Sequence, residues 1–238
     1  SIDEHLAAGF GGLAPNPRAP GGVVLRRTWL AVVGLPPPRE VLLSFPDSPT
    51  DEEWSAALDE VLHHEGFGEH WASMWLDLAR YADTKGYEAD RARTIWPWRE
   101  WLVATLDEDP AFATLTEQML AGDLLPEADA ETRLATAFHR NTMTNDEGGT
   151  DDEEHRVAAV VDRVNTTMQV WMGFTASCAQ CHDHKYDPMT QREYFALFDV
   201  FNQTADADRN DETPTIDVVS RSDPEADPVP VPVMAAVA

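Results

Sequence analysis

The only two cysteines of the chain stand as Cys178-Ala179-Gln180-Cys181-His182. Two thiols three positions apart, followed at once by an imidazole, make the C-x-x-C-H pattern that attaches a c-type haem. Each thiol can form a thioether to one haem vinyl group. His182, next to Cys181, is then placed under the iron as proximal ligand. The same residue types serve other chemistry. A redox dithiol begins a helix in a strand–helix fold, and no such alternation is visible here. A zinc site from Cys178, Cys181, His182 and His184 would crowd four ligands into seven residues, whereas structural zinc takes ligands from two separated pairs. One covalent haem c is the leading expectation, with zinc, dithiol chemistry or two idle thiols behind it.

The second axial position needs a residue from elsewhere in the chain. Met143 and His139 lie far enough along it to close over the distal face. Met168, Met172, Met189 and His155 are weaker options, and an open sixth position is the remaining one. His184, two residues from His182, starts on the proximal side and suits a supporting role. Lys185, Arg163, Arg156 and Arg192 are candidates to hold propionates. Trp171 and Phe174 before the motif, and Tyr186, Tyr194, Phe195 and Phe198 after it, suit either a porphyrin wall or ordinary core. Residues 146–154 (DEGGTDDEE) hold six acids. They read mainly as helix capping and a solvated face. Calcium on oxygens of Asp146, Glu147 and Asp151 is a weak alternative, because the spacing matches no EF-hand loop.

The elements that must position these residues are helical. Thr50-Asp51-Glu52-Glu53, Thr114-Leu115-Thr116-Glu117, Thr150-Asp151-Asp152-Glu153 and Thr190-Gln191-Arg192-Glu193 each read as a capping box before an apolar-periodic run. Helical spacing also covers 69–82, the stretch after Pro97, and 129–140. The helix from about 151 to 172 is expected to bury Val157, Val160, Val161, Val164, Met168 and Trp171. Strand signals are few. The expected fold is all-α: a lead-in over 1–22 that is Gly/Pro-rich and irregular, one multi-helix haem domain over 23–202, and a loose, extended, Pro-rich tail over 203–238.

Composition bounds the partners. The chain has 238 residues, 17 Lys+Arg against 43 Asp+Glu, and a formal net charge of -26. Such a surface repels nucleic acid and anionic membranes. No apolar run reaches the ~20 residues of a membrane span. Only Lys85 and Lys185 are lysines, a bias that either a high-salt habitat or a GC-rich genome explains. No hydrolase triad order, phosphate loop or H-E-x-x-H motif is present. Trp96-Pro97-Trp98 with Trp101 reads as core before it reads as a glycan platform.

Several separated blocks resemble the planctomycete-type cytochrome domain, a family of unknown function. They are Arg26-Arg27 with Gly34-Leu35-Pro36-Pro37, Trp75 to Thr84, Ala121 to Pro126, Arg140-Asn141 with Glu147-Gly148-Gly149, Val160 to Thr167, and Cys178 to Pro188. The resemblance spans roughly 23–210. It implies haem binding, an extracytoplasmic location, and neighbouring modules: further cytochrome-like segments upstream and another domain after Pro230-Val231-Pro232-Val233-Met234. The functional expectation is a monohaem electron-transfer module working with a redox partner or further haem modules. The alternatives are a haem-dependent redox enzyme and a haem-stapled binding module, with a glycan-related role as one form of the latter. Oligomeric state is left open.

Overall fold

The structure is a computed structural model that describes residues 2–14, 16–145, 147–206 and 210–237. It is mostly helical, with 54% helix and two short strands, so the all-α expectation holds. Where the sequence indicated one helical domain over 23–202, the chain divides into two compact units, 1–67 and 68–238.

The first unit holds α1 (Ile2–Gly9), α2 (Gly21–Val32), α3 (Arg39–Ser44) and α4 (Asp51–Leu62). Residues 2–9 of the lead-in are therefore helical, and the Gly/Pro-rich irregularity is confined to the stretch before α2. The box expected at Thr50 forms: Glu53 N–H donates to Thr50 Oγ1 at 3.2 Å, and Thr50 N–H donates to Glu53 Oε2 at 2.8 Å. Leu25, Trp29, Val33 and Val61 make a small buried core.

All but the first two residues of helix α5 (Gly66–Ala79) belong to the second unit, followed by α6 (Trp96–Asp107), α7 (Phe112–Ala121) and α8 (Ala130–Ala135). Trp98, Trp101 and Leu102 of α6 pack with Leu115, Met119 and Phe138 in its larger core. Trp98 and Trp101 are buried, so the alternative of a glycan platform built on them fails: core packing encloses both indoles. Helix α7 begins at Phe112 without the side-chain cap expected at Thr114. The helix expected over 129–140 is shorter, because a tight 3₁₀ stretch takes over at Thr136–Arg140.

Two further helices, α9 (Asp152–Thr167) and α10 (Gln191–Asn202), carry the second core of this unit. Asp151, rather than Thr150, caps α9, accepting from Glu153 N–H at 2.9 Å. Thr150 Oγ1 instead donates to the carbonyl of Glu147 at 3.0 Å. Val160 and Val164 are buried as expected, but Val157 is exposed and Arg163 is buried. The inward face of α9 is thus partly ionic: the Arg163 side chain, 1% exposed, forms a two-pronged pair with Asp206. The segment after α10 is not a loose tail. Strands β1 (Thr215–Val218) and β2 (Val229–Pro232) pair antiparallel, with Ile216 opposite Val231. Val231 is fully buried, Arg140 Nη1 donates to the Val233 carbonyl at 2.9 Å, and Met234 N–H donates to Thr136 Oγ1 at 2.9 Å. Alternation of Pro with Val and Met accounts for this: proline suits a short two-stranded edge, and the apolar residues between enter the core.

Candidate functional site: the C-x-x-C-H turn and a neighbouring cavity

The motif begins on a 3₁₀ turn, Ala176–Gln180, between α9 and α10. Ala176 and Ala179 are fully buried in the second core. Anchoring positions three apart inward turns Cys178, Cys181 and His182 outward, and all three are exposed. Cys181 N–H and His182 N–H both donate to the Cys178 carbonyl, at 3.3 and 3.4 Å. The three functional side chains therefore leave one tight turn, and both thiols are free.

The residues that follow brace the turn. Asp183 Oδ1 accepts from Gln191 N–H at the start of α10 (2.8 Å), and Gln191 Nε2 donates to the Gln180 carbonyl at 3.0 Å. Capping of α10 by Thr190 and Glu193 is as expected. His182 Nδ1 lies 2.8 Å from the Asp183 carbonyl oxygen. A carbonyl only accepts, so Nδ1 carries the hydrogen and the lone pair of the neutral ring is on Nε2. His184 is committed differently. Its Nδ1 accepts backbone N–H groups of Asp187 (2.7 Å) and Tyr186 (3.3 Å). A nitrogen accepting two N–H groups is unprotonated, so the 3.3 Å approach of Asp187 Oδ2 is not an ion pair. His184 supports the loop, in keeping with its expected role.

The two distal candidates have different surroundings. Met143 is 56% exposed. His139 is 2% exposed and packed against Phe138 and Phe201, with ring centroids at 5.1 and 4.8 Å. Neither ring nitrogen of His139 has a hydrogen-bond partner among the described residues. Burial, with the nearby Arg163 charge, pushes its pKa down to about 3 against a smaller opposing effect of Asp206. No hydrogen bond or ring contact joins either residue to the motif among the described residues. Of the weaker candidates, Met189 is buried in the second core and Met168 packs against it. Met172 is exposed, and His155 packs edge-on against Tyr87.

Two of the expected propionate partners are already engaged: Arg163 with Asp206, and Arg156 with Glu153 and Asn202. Lys185 lies over the Tyr186 ring at 5.0 Å, and Arg192 is exposed. Two of the residues of the weak calcium alternative already accept backbone hydrogen bonds. Glu147 Oε1 accepts from Ala89 N–H at 2.7 Å and Asp151 caps α9, while Asp146 lies outside the described residues. No group of three or more His, Cys, Asp or Glu side chains among the described residues is arranged to hold a metal ion.

A cavity of about 590 Å³ opens beside α9. Asp162 and Asn165 of α9 form one wall; Arg80, Lys85 and Arg93 contribute cations, and Met143 borders it. Arg80 Nη2 donates to Asp162 Oδ2 at 2.8 Å. Asn165 also links the cavity to the motif side: the Tyr194 hydroxyl donates to Asn165 Oδ1 at 3.4 Å. Burial raises the Tyr194 pKa, and nearby Asp162 and Cys181 add to it. Arg80, Asp162, Asn165 and Asn141 belong to the sequence blocks that carry the family resemblance. The signal for them was the blocks 75–84, 140–141 and 160–167, which the fold brings to this one cavity.

Residues 1–206 match the PSCyt2 family, described as a protein of unknown function (DUF1549). The chain belongs to the PSCyt2 family. The PSCyt2 match agrees with the resemblance read from the separated blocks and extends it over the lead-in. No curated protein and no solved structure matches the chain.

Proposed function

We propose that the chain is an extracytoplasmic monohaem electron-transfer module, with one haem c attached covalently through Cys178 and Cys181. The observation that carries this reading is the His182 ring: its Nδ1–H is tied to the Asp183 carbonyl, which leaves the Nε2 lone pair for iron. The donor set fits the group, with two free exposed thiols and an oriented imidazole on one turn. In attachment, each sulfur bonds to a vinyl carbon and the thiol hydrogen goes to the other carbon, so no oxidant is needed. Bound there, the haem iron supplies reversible one-electron oxidation and reduction.

The chain's own contribution is positioning. Buried Ala176 and Ala179 fix the turn, Asp183 orients His182 and anchors the start of α10, and His184 ties the loop back on itself. Exposure of the motif suits electron exchange with a protein partner or another haem module. For the sixth position we retain Met143, whose side chain is exposed, over His139, which would have to leave the core. No helix is long and apolar enough to cross a membrane among the described residues. Haem attachment through C-x-x-C-H is completed outside the bacterial cytoplasmic membrane, which is the basis for the location. The test is mass spectrometry of the denatured protein after expression with c-type maturation machinery. One added haem, lost in Cys178→Ser/Cys181→Ser, is expected; an unmodified mass overturns the reading.

A further inference from the structure

The Met143 side chain is exposed, yet its backbone is pinned on both sides. Arg93 Nη1 donates to the Thr142 carbonyl at 2.9 Å, and Thr144 N–H donates to the Lys85 carbonyl at 2.9 Å. The side chain lies on Gly86, whose φ is 82°. A Cβ at Gly86 would meet the Met143 sulfur at 2.7 Å and its Cγ at 2.8 Å. We propose that Gly86 is a positioning residue that seats the Met143 sulfur as the sixth haem ligand, in the wall of the cavity beside α9. This rests on the covalent-haem reading above and adds how the chain presets its distal ligand.

A methionine side chain has three rotatable bonds, and ordering it costs conformational entropy. The loop beneath Met143 is arranged to reduce that freedom. Thr84 and Ala92 form an antiparallel bridge, Lys85 N–H donates to the Arg91 carbonyl at 2.9 Å, and Gly86 N–H donates to Asp90 Oδ1 at 2.9 Å. Tyr87 and Asp90 in the same loop also have positive φ, 56° and 39°. Left-handed non-glycine residues persist only where their surroundings enforce them, and they cluster at ligand sites. The loop is tied to the segment after Met143 as well, because Ala89 N–H donates to Glu147 Oε1 at 2.7 Å. One left-handed glycine thus makes the turn and leaves the space that the sulfur takes. A ligand already held by its supports loses less freedom on binding.

The cavity gives the sulfur room to meet a partner. Gly86 and Met143 line it together with Val161, Asp162 and Asn165 of α9. Its volume, about 590 Å³, falls among sites for cofactors and small organic ligands, roughly 300–1,000 Å³. Asn165 leads back to the motif. Its Oδ1 accepts from the Tyr194 hydroxyl at 3.4 Å, and Tyr194 shares the second core with Ala176 and Ala179 of the motif turn. Val160 and Val164 belong to that core too. The stretch 160–165 of α9 therefore packs with the motif turn on one face and lines the cavity with the next.

Far-red absorption of the full, haem-loaded ferric chain reports a thioether–iron bond, and carbon monoxide binding to the ferrous chain reports how readily that bond opens. The unaltered chain should show the far-red band. Met143→Ala should lose it and bind carbon monoxide at least tenfold faster. Gly86→Asn adds the Cβ in a residue type that tolerates left-handed backbone. The flexible Met143 side chain yields before main chain does, so this variant should weaken the band and speed carbon monoxide binding at least tenfold, with a melting temperature matching that of Gly149→Asn. Gly149 has φ 86° and nothing within 4 Å of its Cβ position, so Gly149→Asn should leave band and rate unchanged. Added to Met143→Ala, Gly86→Asn should change neither readout further. An unaltered chain that carries haem but lacks the band, a band that survives Met143→Ala, or an unchanged spectrum in Gly86→Asn overturns the proposal and leaves the haem reading standing. Loss of folding in Gly86→Asn that Met143→Ala does not relieve overturns it as well, since the added Cβ is then meeting main chain. A chain whose mass shows no haem overturns both.

Discussion

His182 turns its Nδ1 onto the carbonyl oxygen of the next residue, Asp183, 2.8 Å away. That bond selects the tautomer with a free Nε2 before any partner arrives. The same Asp183 holds Gln191 N–H through its carboxylate at 2.8 Å, so ring orientation is tied to the first turn of α10.

His182→Ala should abolish the low-spin Soret spectrum of the haem-loaded protein, whereas Asp183→Asn should preserve it, because the backbone carbonyl remains. Optical spectra of both variants decide this. Equal loss in the two would place the orienting group elsewhere.

Arg163 and Asp206 form a buried ion pair in the second unit. Burial alone would raise the Asp206 carboxyl, but the charges of Arg163 and Arg140 and the Arg163 and Thr204 hydrogen bonds hold it well below the usual range. Asp206→Ala should cost about 3–5 kcal/mol, because it strands a buried guanidinium. The double change Arg163→Met/Asp206→Leu should cost less than that single change. Denaturant melts of the two variants measure the difference.

Acid should destabilise the protein through His139. An unfolded histidine binds its proton below about pH 6.5, while the folded one stays neutral down to about 3. Between those values the unfolded chain holds the extra proton, so stability falls as pH falls, by about 1.4 kcal/mol per unit. Loss of the Asp206 carboxylate adds the same sign below about pH 4. His139→Leu should flatten stability between pH 4 and 6, leave the ferrous spectrum unchanged, and raise stability at pH 7. A spectrum altered by His139→Leu and not by Met143→Ala would reverse their assignment.

Gly122 packs against backbone. A Cβ there would meet the Thr132 carbonyl oxygen at 1.9 Å, and main chain yields less readily than a side chain. Gly122→Ala should therefore lower stability by more than about 1–3 kcal/mol, the usual range for overpacking. Gly148→Ala, which meets nothing within 4 Å, is the control. Thermal melts of the pair check the contrast.

The spacing of Cys178, Cys181 and His182 alone determined the candidate chemistry, because attachment through adjacent positions is a local property. Helix type and the caps at Thr50 and Thr190 were equally legible: a capping box is closed by residues three apart and needs no distant partner. Tertiary structure decided what depends on residues far apart in the chain. Arg163 reads as a surface charge on a helix until Asp206 is folded against it. His139 and Met143 look equivalent in sequence, four positions apart, yet one is enclosed by Phe138 and Phe201 and the other is exposed. The Pro-rich terminus reads as a tail because its hydrogen bonds go to Arg140 and Thr136, about a hundred residues earlier. The cavity beside α9 is the largest case. Arg80, Lys85, Asn141 and Asp162 carry no common local pattern, and only the packing of two separate segments, 80–93 and 141–143, against α9 brings them to one cavity.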